Sequence, residues 1–325
     1  MKKYCLISWF IVSLAFILGS LATYPRAGFA LEKLKFATSL KKAVHQGLLI
    51  LAAEEKGFWR KNGLDTEWVP FRGGAAMVRA IAARSINIGL SSAGTEIRSA
   101  TRGVPVIIIA NMKTPNNFFI WVRADSRIRK PKDLRGAKIG ITRFGGVADA
   151  YGRVVTKALG FPRNVTFVAA GGIAPSLAAL QSGAVDAVVN TNFVMAPLKV
   201  REKAREVVAV RDFFPKEWVN DTIFGRKDFL KKKPSVARGA VRAILQSAGF
   251  VMKNRRWSLE KMESFFKYSD TAARFVYDQA LHYGTDGKID RRGIENVKTF
   301  MVDFGIVPKG KVPPLDDLYT NEFTG

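Results

Sequence analysis

Two arginines in glycine-rich stretches could bind a small anion. Arg72 precedes Gly73 and Gly74, and Arg143 opens the stretch Arg143-Phe144-Gly145-Gly146. A guanidinium group binds a carboxylate, a sulfonate or a phosphate through paired hydrogen bonds. Glycine-rich turns at the start of a helix add backbone N–H groups, which favour negative charge. The two arginines therefore predict a clamp for an anionic ligand, with solvent exposure of each side chain as the alternative.

Aromatic and histidine side chains neighbour the same stretches. Phe71, Phe144 and Phe193 could enclose a planar ligand, although core packing is the alternative in a chain with 23 phenylalanines. His45 stands at the start of a predicted helix and is a candidate ligand contact, whereas His282 is expected to be structural. The pattern therefore allows an anionic or a heteroaromatic ligand.

The motifs of common enzymes are missing from the sequence. It contains no HExxH, CxxC, GxSxG or GxxxxGK[ST] segment, and a catalytic triad would have to use one of only 2 histidines. Glu54 and Glu55 are adjacent, so they cannot form a carboxylate pair on one helix face. The Asp286-Gly287 stretch ahead of Asp290 lacks the closing glutamate of a calcium loop. We predict that the protein is not an enzyme and has no cofactor, catalytic residue or metal site.

Two segments of the chain share one pattern. The first begins at Thr66 and the second at Val165, and they run TEWVPFRGGAAMVRAIAARSINIGLSSAG and VTFVAAGGIAPSLAALQSGAVDAVVNTNF. In each, a strand-like run ends in a glycine pair, an alanine-rich helical stretch follows, and a second apolar run closes on small polar residues. The second runs are too apolar for a half-exposed sheet and suit a parallel sheet covered on both faces. Two matching strand–helix–strand units indicate two similar α/β lobes.

Strands and helices alternate over the first two thirds of the chain, and the remainder is mostly helical. The predicted strands outside the second repeat are Leu34–Ala37, Thr66–Val69, Ile86–Leu90, Val106–Ala110, Phe118–Arg123 and Lys138–Ile141. The predicted helices are Gln46–Glu55, Ala75–Ala83, Thr95–Thr101, Ala148–Leu159, Pro234–Met252, Leu259–Phe266, Thr271–Tyr283 and Arg291–Phe304. This order predicts an α/β protein whose helical tail packs back on an earlier lobe.

Small polar residues follow the predicted strands of both units. The ligand crevice of an open parallel sheet lies beyond the carboxyl ends of its strands, so these loops should converge on it. An ordinary turn is the alternative for any single loop. The predicted ligand-binding residues are Ser39, His45, Phe71, Arg72, Gly73, Gly74, Ser91, Ser92, Thr95, Thr142, Arg143, Phe144, Gly145, Asn190 and Asn192.

The N-terminus predicts export. Lys2 and Lys3 precede an apolar stretch from Cys5 to Leu18, and Gly28-Phe29-Ala30 then offers small residues at the positions that a signal peptidase reads. This pattern predicts a signal peptide over residues 1–30, cleaved after Ala30, and a periplasmic protein. An uncleaved anchor is the alternative, but the stretch is shorter than the roughly 20 residues of a membrane span. Since Cys5 is the only cysteine, the mature chain has neither disulfide nor thiolate.

The chain is strongly basic, with a formal net charge of +25. Its longest basic run, Lys231-Lys232-Lys233, precedes a predicted helix, and no nucleic-acid recognition motif accompanies the charge. We therefore predict no nucleic-acid partner. A positive field would instead concentrate anionic ligands or hold the protein near anionic lipid.

The sequence resembles the periplasmic solute-binding proteins of the nitrate, sulfonate, taurine and thiamine-precursor type. The resemblance covers nearly all of the chain after residue 30. It rests on the segments EEKGFWRKNGLDTEWVPFRGGAAMVRAIAARSINIGLSS, RGVPVIIIANM, DSRIRKPKDLRGAKIGI, GGIAPSLAALQSGAVDAVV and YGTDGKID. It implies a bilobed type 2 periplasmic binding protein fold with crossovers near Lys113–Asn117 and Asn220–Phe224. Lobe one would comprise residues 31–116 and 224–325, and lobe two residues 117–223.

The resemblance also implies a function. Members of this family capture a small solute between the lobes and deliver it to an ABC importer, whose permease works with an ATPase. A periplasmic ligand-sensing protein for a signalling partner is the alternative. The resemblance further implies a monomer.

Overall fold

The computed structural model describes residues 30–39, 43–71 and 73–324, so nearly all of the predicted signal peptide lies outside the described residues. Ten strands are named here in chain order. They are β1 (Glu32–Thr38), β2 (Leu64–Pro70), β3 (Ile88–Ser92), β4 (Val106–Asn111), β5 (Phe118–Arg123), β6 (Lys138–Ile141), β7 (Thr166–Ala169), β8 (Ala187–Thr191), β9 (Ala204–Ala209) and β10 (Asp221–Arg226).

Twelve α-helices surround the described strands. They are α1 (Val44–Glu55), α2 (Phe58–Lys61), α3 (Gly74–Ala82), α4 (Ala93–Thr101), α5 (Val147–Ala158), α6 (Ile173–Ser182), α7 (Asn192–Lys199), α8 (Lys227–Lys232), α9 (Pro234–Lys253), α10 (Arg255–Ser264), α11 (Asp270–Gln279) and α12 (Arg291–Asp303). No helix in the described ranges is long and apolar enough to span a membrane.

The strands form two five-stranded sheets with equivalent topology. The first has the order β2-β1-β3-β10-β4 and the second the order β7-β6-β8-β5-β9. The three strands β2, β1 and β3 are parallel, whereas β10 is antiparallel to both neighbours. In the second sheet β5 is the antiparallel strand. Each sheet is therefore mixed instead of parallel as predicted, because the strand arriving from the other lobe enters in the opposite direction.

The repeat seen in the sequence occupies matching positions in the two sheets. The units β2-α3-β3 and β7-α6-β8 flank β1 and β6 in the same way. The incoming strands also match, since the pairing shifts register between Ile223 and Phe224 in β10 and between Ile120 and Trp121 in β5. The structure confirms the predicted pair of similar α/β lobes.

Two short segments join the lobes and bond to each other. The first crosses after β4 over residues 112–117, and the second crosses after β9 over residues 210–220. The backbone N–H of Met112 donates to the carbonyl of Asp221 at 2.9 Å, and Asn220 Nδ2 donates to the carbonyl of Pro115 at 3.2 Å. The predicted lobe boundaries after residues 116 and 223 stay a prediction.

The largest apolar core lies in the first lobe, between its sheet and the helical tail. Phe36 of β1 packs on Trp59 of α2, with ring centroids 5.2 Å apart, and α9 covers α1. The tail thus packs back on the first lobe, as predicted. Helix α11 ends at Gln279, four residues before the predicted end at Tyr283. The backbone leaves the helical conformation at Ala280, and the carbonyl of this residue accepts a hydrogen bond from Asn117 Nδ2 at 2.8 Å.

Gly89 stands where β1 and β10 approach β3 closely. A methyl group on its Cα would lie 2.8 Å from the Ala37 carbonyl oxygen and 2.9 Å from the Phe224 ring. We expect Gly89→Ala to lower the free energy of unfolding by about 1–3 kcal/mol, because this buried position cannot take the added volume. Chemical denaturation of purified protein measures the change.

Gly249→Ala is the matched control. Gly249 lies in α9, and the nearest atom to an added methyl group is in Thr285, 3.7 Å away. Alanine should leave the protein unchanged or stabilise it by up to about 1 kcal/mol, since it favours the helix over glycine. Equal destabilisation by both substitutions would contradict the close approach at Gly89.

Candidate ligand-binding site

A buried carboxylate stands at the point where the second crossover enters the first sheet. Asp221 is the first residue of β10 and pairs with Ser92 at the carboxyl end of β3. Thr114 Oγ1 donates to Asp221 Oδ2 at 2.7 Å, and His45 Nε2 lies 3.7 Å from Asp221 Oδ1. The carboxylate therefore connects both crossovers to the first turn of α1.

The surroundings of Asp221 keep it ionised. Burial by itself raises the pKa of a carboxyl group, but the nearby His45 and the hydrogen bond from Thr114 lower the pKa of Asp221 below its usual value. Sequence reasoning missed this residue, although it falls inside the predicted crossover Asn220–Phe224. The available signal was an acidic residue in a predicted crossover whose other residues are uncharged.

The His45 ring contacts the second lobe. Its ring stacks on Phe193 of α7, with centroids 4.8 Å apart and planes 18° apart. The Phe193 carbonyl accepts a hydrogen bond from the Tyr268 hydroxyl of the first lobe at 2.6 Å. The His45 carbonyl accepts a similar bond from Tyr283. The structure thus brings His45 and Phe193, two sequence candidates, into direct contact across the cleft.

Glu96 is a second buried acid beside Asp221. It lies in α4 with 3% of its surface exposed, and Thr222 Oγ1 donates to its Oε2 at 3.3 Å. Burial raises the pKa of Glu96 well above its usual value, and the nearby Asp221 charge adds to the rise. Burial therefore favours the neutral form of this side chain to higher pH than is usual for a glutamate. A neutral carboxylic acid can donate a hydrogen bond as well as accept one.

Several buried polar atoms around the cleft have no protein partner among the described residues. They are His45 Nδ1, Ser91 Oγ, Glu96 Oε1, Asn117 Oδ1 and Asn192 Oδ1. Ser91 and Asn192 lie at the carboxyl ends of β3 and β8, and Asn117 lies on the first crossover. Buried polar groups are nearly always hydrogen-bonded, so such a concentration of exceptions indicates a place where a ligand or water completes them.

The loop after β6 forms the second-lobe rim. Gly145, with φ of 69°, donates its backbone N–H to Asp149 Oδ2 at 2.8 Å. Arg153 holds the other oxygen of Asp149 at 2.7 Å. These bonds fix the loop, while Arg143 is exposed and the Phe144 side chain is 58% exposed. Arg143 and Phe144 therefore lie outside the core, just before the start of α5.

Arg98 on α4 adds a cation that the sequence analysis did not select. Its pKa is lowered first by burial and then by the guanidinium groups of Arg102 and Arg143. Arg143 belongs to the second lobe, so its charge acts across the cleft. Arg98 Nε is buried without a hydrogen-bond partner. Helical spacing alone made Arg98 look like any surface residue, and only the meeting of the lobes distinguishes it.

The remaining predicted site residues divide into two groups. Ser92, Thr95, Gly73 and Gly74 lie together, since the Ser92 and Thr95 hydroxyls are 3.0 Å apart and a methyl group on Gly74 would lie 2.9 Å from Thr95 Oγ1. Their loops start α3 and α4 at the cleft, and Thr142 lies opposite on β6's loop, half-buried.

The residues of the other group form hydrogen bonds or packing contacts within the protein. Ser39 exchanges hydrogen bonds with Gln46 at 3.1–3.2 Å, and Phe71 packs on the core around Met77. Asn190 accepts a hydrogen bond from the Thr191 N–H, which occupies its side-chain oxygen. Arg72 lies outside the described residues. The binding role of all these residues stays a prediction.

In the described part of the chain no group of three or more His, Cys, Asp or Glu residues could hold a metal ion. The cleft chemistry is instead that of hydrogen-bonding side chains, helix N-termini, two arginines and one flat aromatic contact. Side chains of these kinds can donate hydrogen bonds to a small molecule, accept them from it and stack on it.

Comparison with known proteins places this geometry in context. A family model described as "NMT1/THI5 like" matches residues 44–256. A binding protein of Brucella abortus is 24% identical over 281 residues, which cover 84% of this chain and 86% of that protein. A Haemophilus influenzae protein named for thiamine biosynthesis is 22% identical over 310 residues, covering 91% of this chain and 94% of its own.

A solved structure shows the same fold. The periplasmic aliphatic sulphonate binding protein SsuA of Escherichia coli matches with a TM-score of 0.74 and 17% identity, and the match covers 86% of this chain and 90% of that one. The predicted type 2 periplasmic binding protein fold is thereby confirmed.

The raised pKa of Glu96 predicts that the stability of the protein depends on pH. The unfolded chain loses the Glu96 proton in the usual glutamate range, whereas the folded protein keeps it to higher pH, so stability falls as pH rises between those two pKa values. Glu96→Gln removes that dependence. We expect the variant to have a higher Tm than the parent at pH 8, with the difference shrinking towards pH 4.

The control is Glu295→Gln, which removes the same charge from an exposed position on α12. Scanning calorimetry between pH 4 and pH 8 should show no comparable trend for it. A stability difference between Glu96→Gln and the parent that stays constant from pH 4 to pH 8 would contradict the raised pKa of Glu96.

Proposed function

Because the chain belongs to the NMT1/THI5-like family, we propose that it is a receptor that captures a small solute between its two lobes and delivers it to the permease of an ABC importer. The receptor works in the periplasm after removal of its signal peptide. This proposal keeps the solute-binding function predicted from the sequence. The predictions that the protein is monomeric and is not an enzyme also stay predictions.

One observation carries the proposal: unpartnered buried polar atoms from both lobes face the same crossovers. Ser91 and Glu96 come from the first lobe and Asn192 from the second, each with no more than 3% of its surface exposed. A purely structural interface would pair these groups, because each unpaired one costs about 1–3 kcal/mol. A solute that hydrogen-bonds to them recovers this cost only when the lobes are together.

Arginine placement favours a solute with an anionic group. Arg98 and Arg143 approach from opposite lobes, and neither forms an ion pair with a described residue. The mutual repulsion of their charges opposes closure of the empty cleft. An anion between them would attract both and so favour closure. The N-termini of α3, α4 and α5 point into the same cleft from the strand ends and favour negative charge as well.

A planar part of the solute fits the other side of the cleft. The stacked His45 and Phe193 rings present flat faces, and Asn117 and Asn192 offer free amide oxygens that accept N–H donors. A heterocycle with an amino group could stack on the rings and donate hydrogen bonds to the amide oxygens. The names of the relatives span these two chemistries, with aliphatic sulphonates for the Escherichia coli protein and thiamine biosynthesis for the Haemophilus influenzae protein.

Solute binding would shift the balance between open and closed lobes. Moving a protein from mostly open to mostly closed takes about 5.5 kcal/mol of differential affinity. Charge-assisted hydrogen bonds of about 1.5–3 kcal/mol each supply that with a few contacts made only in the closed form. The crossovers over residues 112–117 and 210–220 absorb the rotation.

The test begins with a thermal-shift screen of the exported protein against nitrate, alkanesulfonates, taurine, carboxylates and aminopyrimidines. A solute at 100 times its Kd stabilises the protein by about 2.7 kcal/mol. With the strongest hit, we expect Arg98→Ala and Arg143→Ala each to weaken binding by about 10-fold or more in isothermal titration calorimetry, because each loses a charge-assisted hydrogen bond.

Arg292→Ala is the control, since Arg292 is an exposed arginine on α12 away from the cleft. The affinity of the Arg292→Ala variant for the solute should equal that of the parent. Unchanged affinity in both cleft variants would refute the arginine clamp but leave solute binding intact. No stabilising compound in any class would count against the receptor function itself.

A further inference from the structure

A dense group of cations surrounds the connection between β5 and β6 in the second lobe. The connection carries five of them, a sixth is the first residue of β6, and a seventh lies on the turn before β7. We call these residues the basic face: Arg127, Arg129, Lys130, Lys132, Arg135, Lys138 and Arg163, all exposed.

The backbone holds these side chains on one continuous surface. Gly136 N donates to the Asn164 carbonyl at 2.5 Å, which ties the connection to the turn that carries Arg163. Lys138 pairs with Thr166 in the sheet. The Arg135 guanidinium lies 5.6 Å from the centre of the Phe161 ring. The basic face is therefore a structured surface rather than a loose loop.

The cations of the basic face are not neutralised by neighbours. None of the seven forms an ion pair with any residue in the described ranges. Two carboxylates lie near them, and both bind backbone: Asp133 accepts from the N–H groups of Arg129 and Lys130, and Asp186 accepts from that of Lys138. Seven cations thus face two acids.

Further positive charge lies just beneath the surface. The Arg205 guanidinium donates to the carbonyls of Ser126 and Ile128, which are backbone groups without charge. Nearby Asp125 is already paired with Arg123 at 3.1 Å. The basic face therefore carries a net positive charge, since its seven cations outnumber the nearby carboxylates of Asp125, Asp133 and Asp186.

The corresponding end of the first lobe has a different charge arrangement. There, some cations are paired, as in Lys233 with Glu32 at 2.9 Å and Arg238 with Glu322 at 3.2 Å, whereas Arg60, Lys231 and Lys232 are exposed without an ion pair among the described residues. The basic face differs in that none of its seven cations is in an ion pair, so the +25 net charge is not distributed uniformly over the two lobes.

The basic face lies at the opposite end of the second sheet from the solute cleft. Strand β5 begins at Phe118, which pairs with Thr191 at the cleft edge, and ends at Arg123. Strand β6 begins at Lys138 and reaches the cleft only at its other end. The basic face can therefore be occupied while the cleft is open or closed.

We propose that the basic face binds the surface of an anionic lipid bilayer. A protein interface usually has an apolar, aromatic centre from which lysine is depleted. The large apolar side chains exposed among the described residues are Leu31, Phe144, Val147 and Phe265, and none belongs to the basic face. Cations without an apolar anchor suit a diffuse layer of phosphate headgroups, to which each basic residue contributes about fivefold in affinity.

This binding is reversible and depends on salt. No side chain of the basic face can insert into the acyl region, so attraction comes from charge alone and weakens as the screening length shortens. Such an attachment would confine the protein to the layer of solution beside the membrane while leaving its cleft accessible.

The test measures binding of the protein recovered from the periplasm of an expression host, with its N-terminus established by mass spectrometry. Vesicles contain phosphatidylglycerol and phosphatidylcholine in equal parts, and pure phosphatidylcholine vesicles serve as the neutral reference. We expect co-sedimentation with the anionic vesicles at low salt. Binding should fall by at least about tenfold when the salt concentration rises tenfold.

The decisive comparison uses two triple variants that remove equal charge. Arg127→Gln/Arg129→Gln/Lys130→Gln alters the basic face, and Arg60→Gln/Lys231→Gln/Lys232→Gln removes three exposed, unpaired cations from the first lobe. The first variant should bind anionic vesicles at least about tenfold more weakly than the parent. The second should bind within about twofold of the parent.

Several outcomes would overturn the proposal. They are equal losses in the two variants, equal binding to neutral vesicles, binding that persists at high salt, or no binding to anionic vesicles. Displacement by duplex DNA at a lower phosphate concentration than the lipid would instead identify the basic face as a nucleic-acid surface. Circular dichroism of both variants confirms that a loss of binding is not a loss of fold.

Discussion

The hydrogen-bonded Asp221 carboxylate is the interaction on which the hinge and the cleft both depend. It joins Thr114 of the first crossover to the second crossover, and it faces His45 at the cleft. A buried charge is tolerated only with such partners, and removing one of them leaves a charge that costs several kcal/mol. Movement of either crossover therefore changes the surroundings of His45, which stacks on Phe193 of the opposite lobe. Asp221 therefore links the two crossovers to a residue that contacts the opposite lobe.

Internal duplication explains why the cleft has two similar walls. Each sheet places its incoming crossover strand between the third and the last strand of the lobe, and each of these strands shifts register once. The carboxyl ends of β3 and β8 thus meet the crossovers in equivalent positions. The walls differ in chemistry, because the first contributes Ser91 and Glu96 and the second contributes Asn192. A duplicated frame therefore produces an asymmetric site suited to an asymmetric solute.

The sequence by itself determined the local elements, the duplication and the family. Strands Phe118–Arg123 and Lys138–Ile141 have the predicted bounds, because apolar runs bounded by charge or glycine specify a buried strand locally. The glycine pairs mark the starts of α3 and α6 for a similar local reason, since Gly73 and Gly172 adopt positive φ values that other residues avoid. Repeated local patterns were also enough to place many candidate residues at strand ends.

Only the tertiary structure decided which of those residues face the cleft and which acids and bases join them. Asp221 and Thr114 are 107 residues apart, and Glu96 meets Thr222 over 126 residues, so no local pattern links them. Arg98 becomes distinctive only because the second lobe brings another guanidinium towards it. The antiparallel direction of β5 and β10 likewise follows from the path between lobes. Local sequence specifies backbone conformation, whereas burial, ion pairing and pKa depend on groups that the fold brings together from distant parts of the chain.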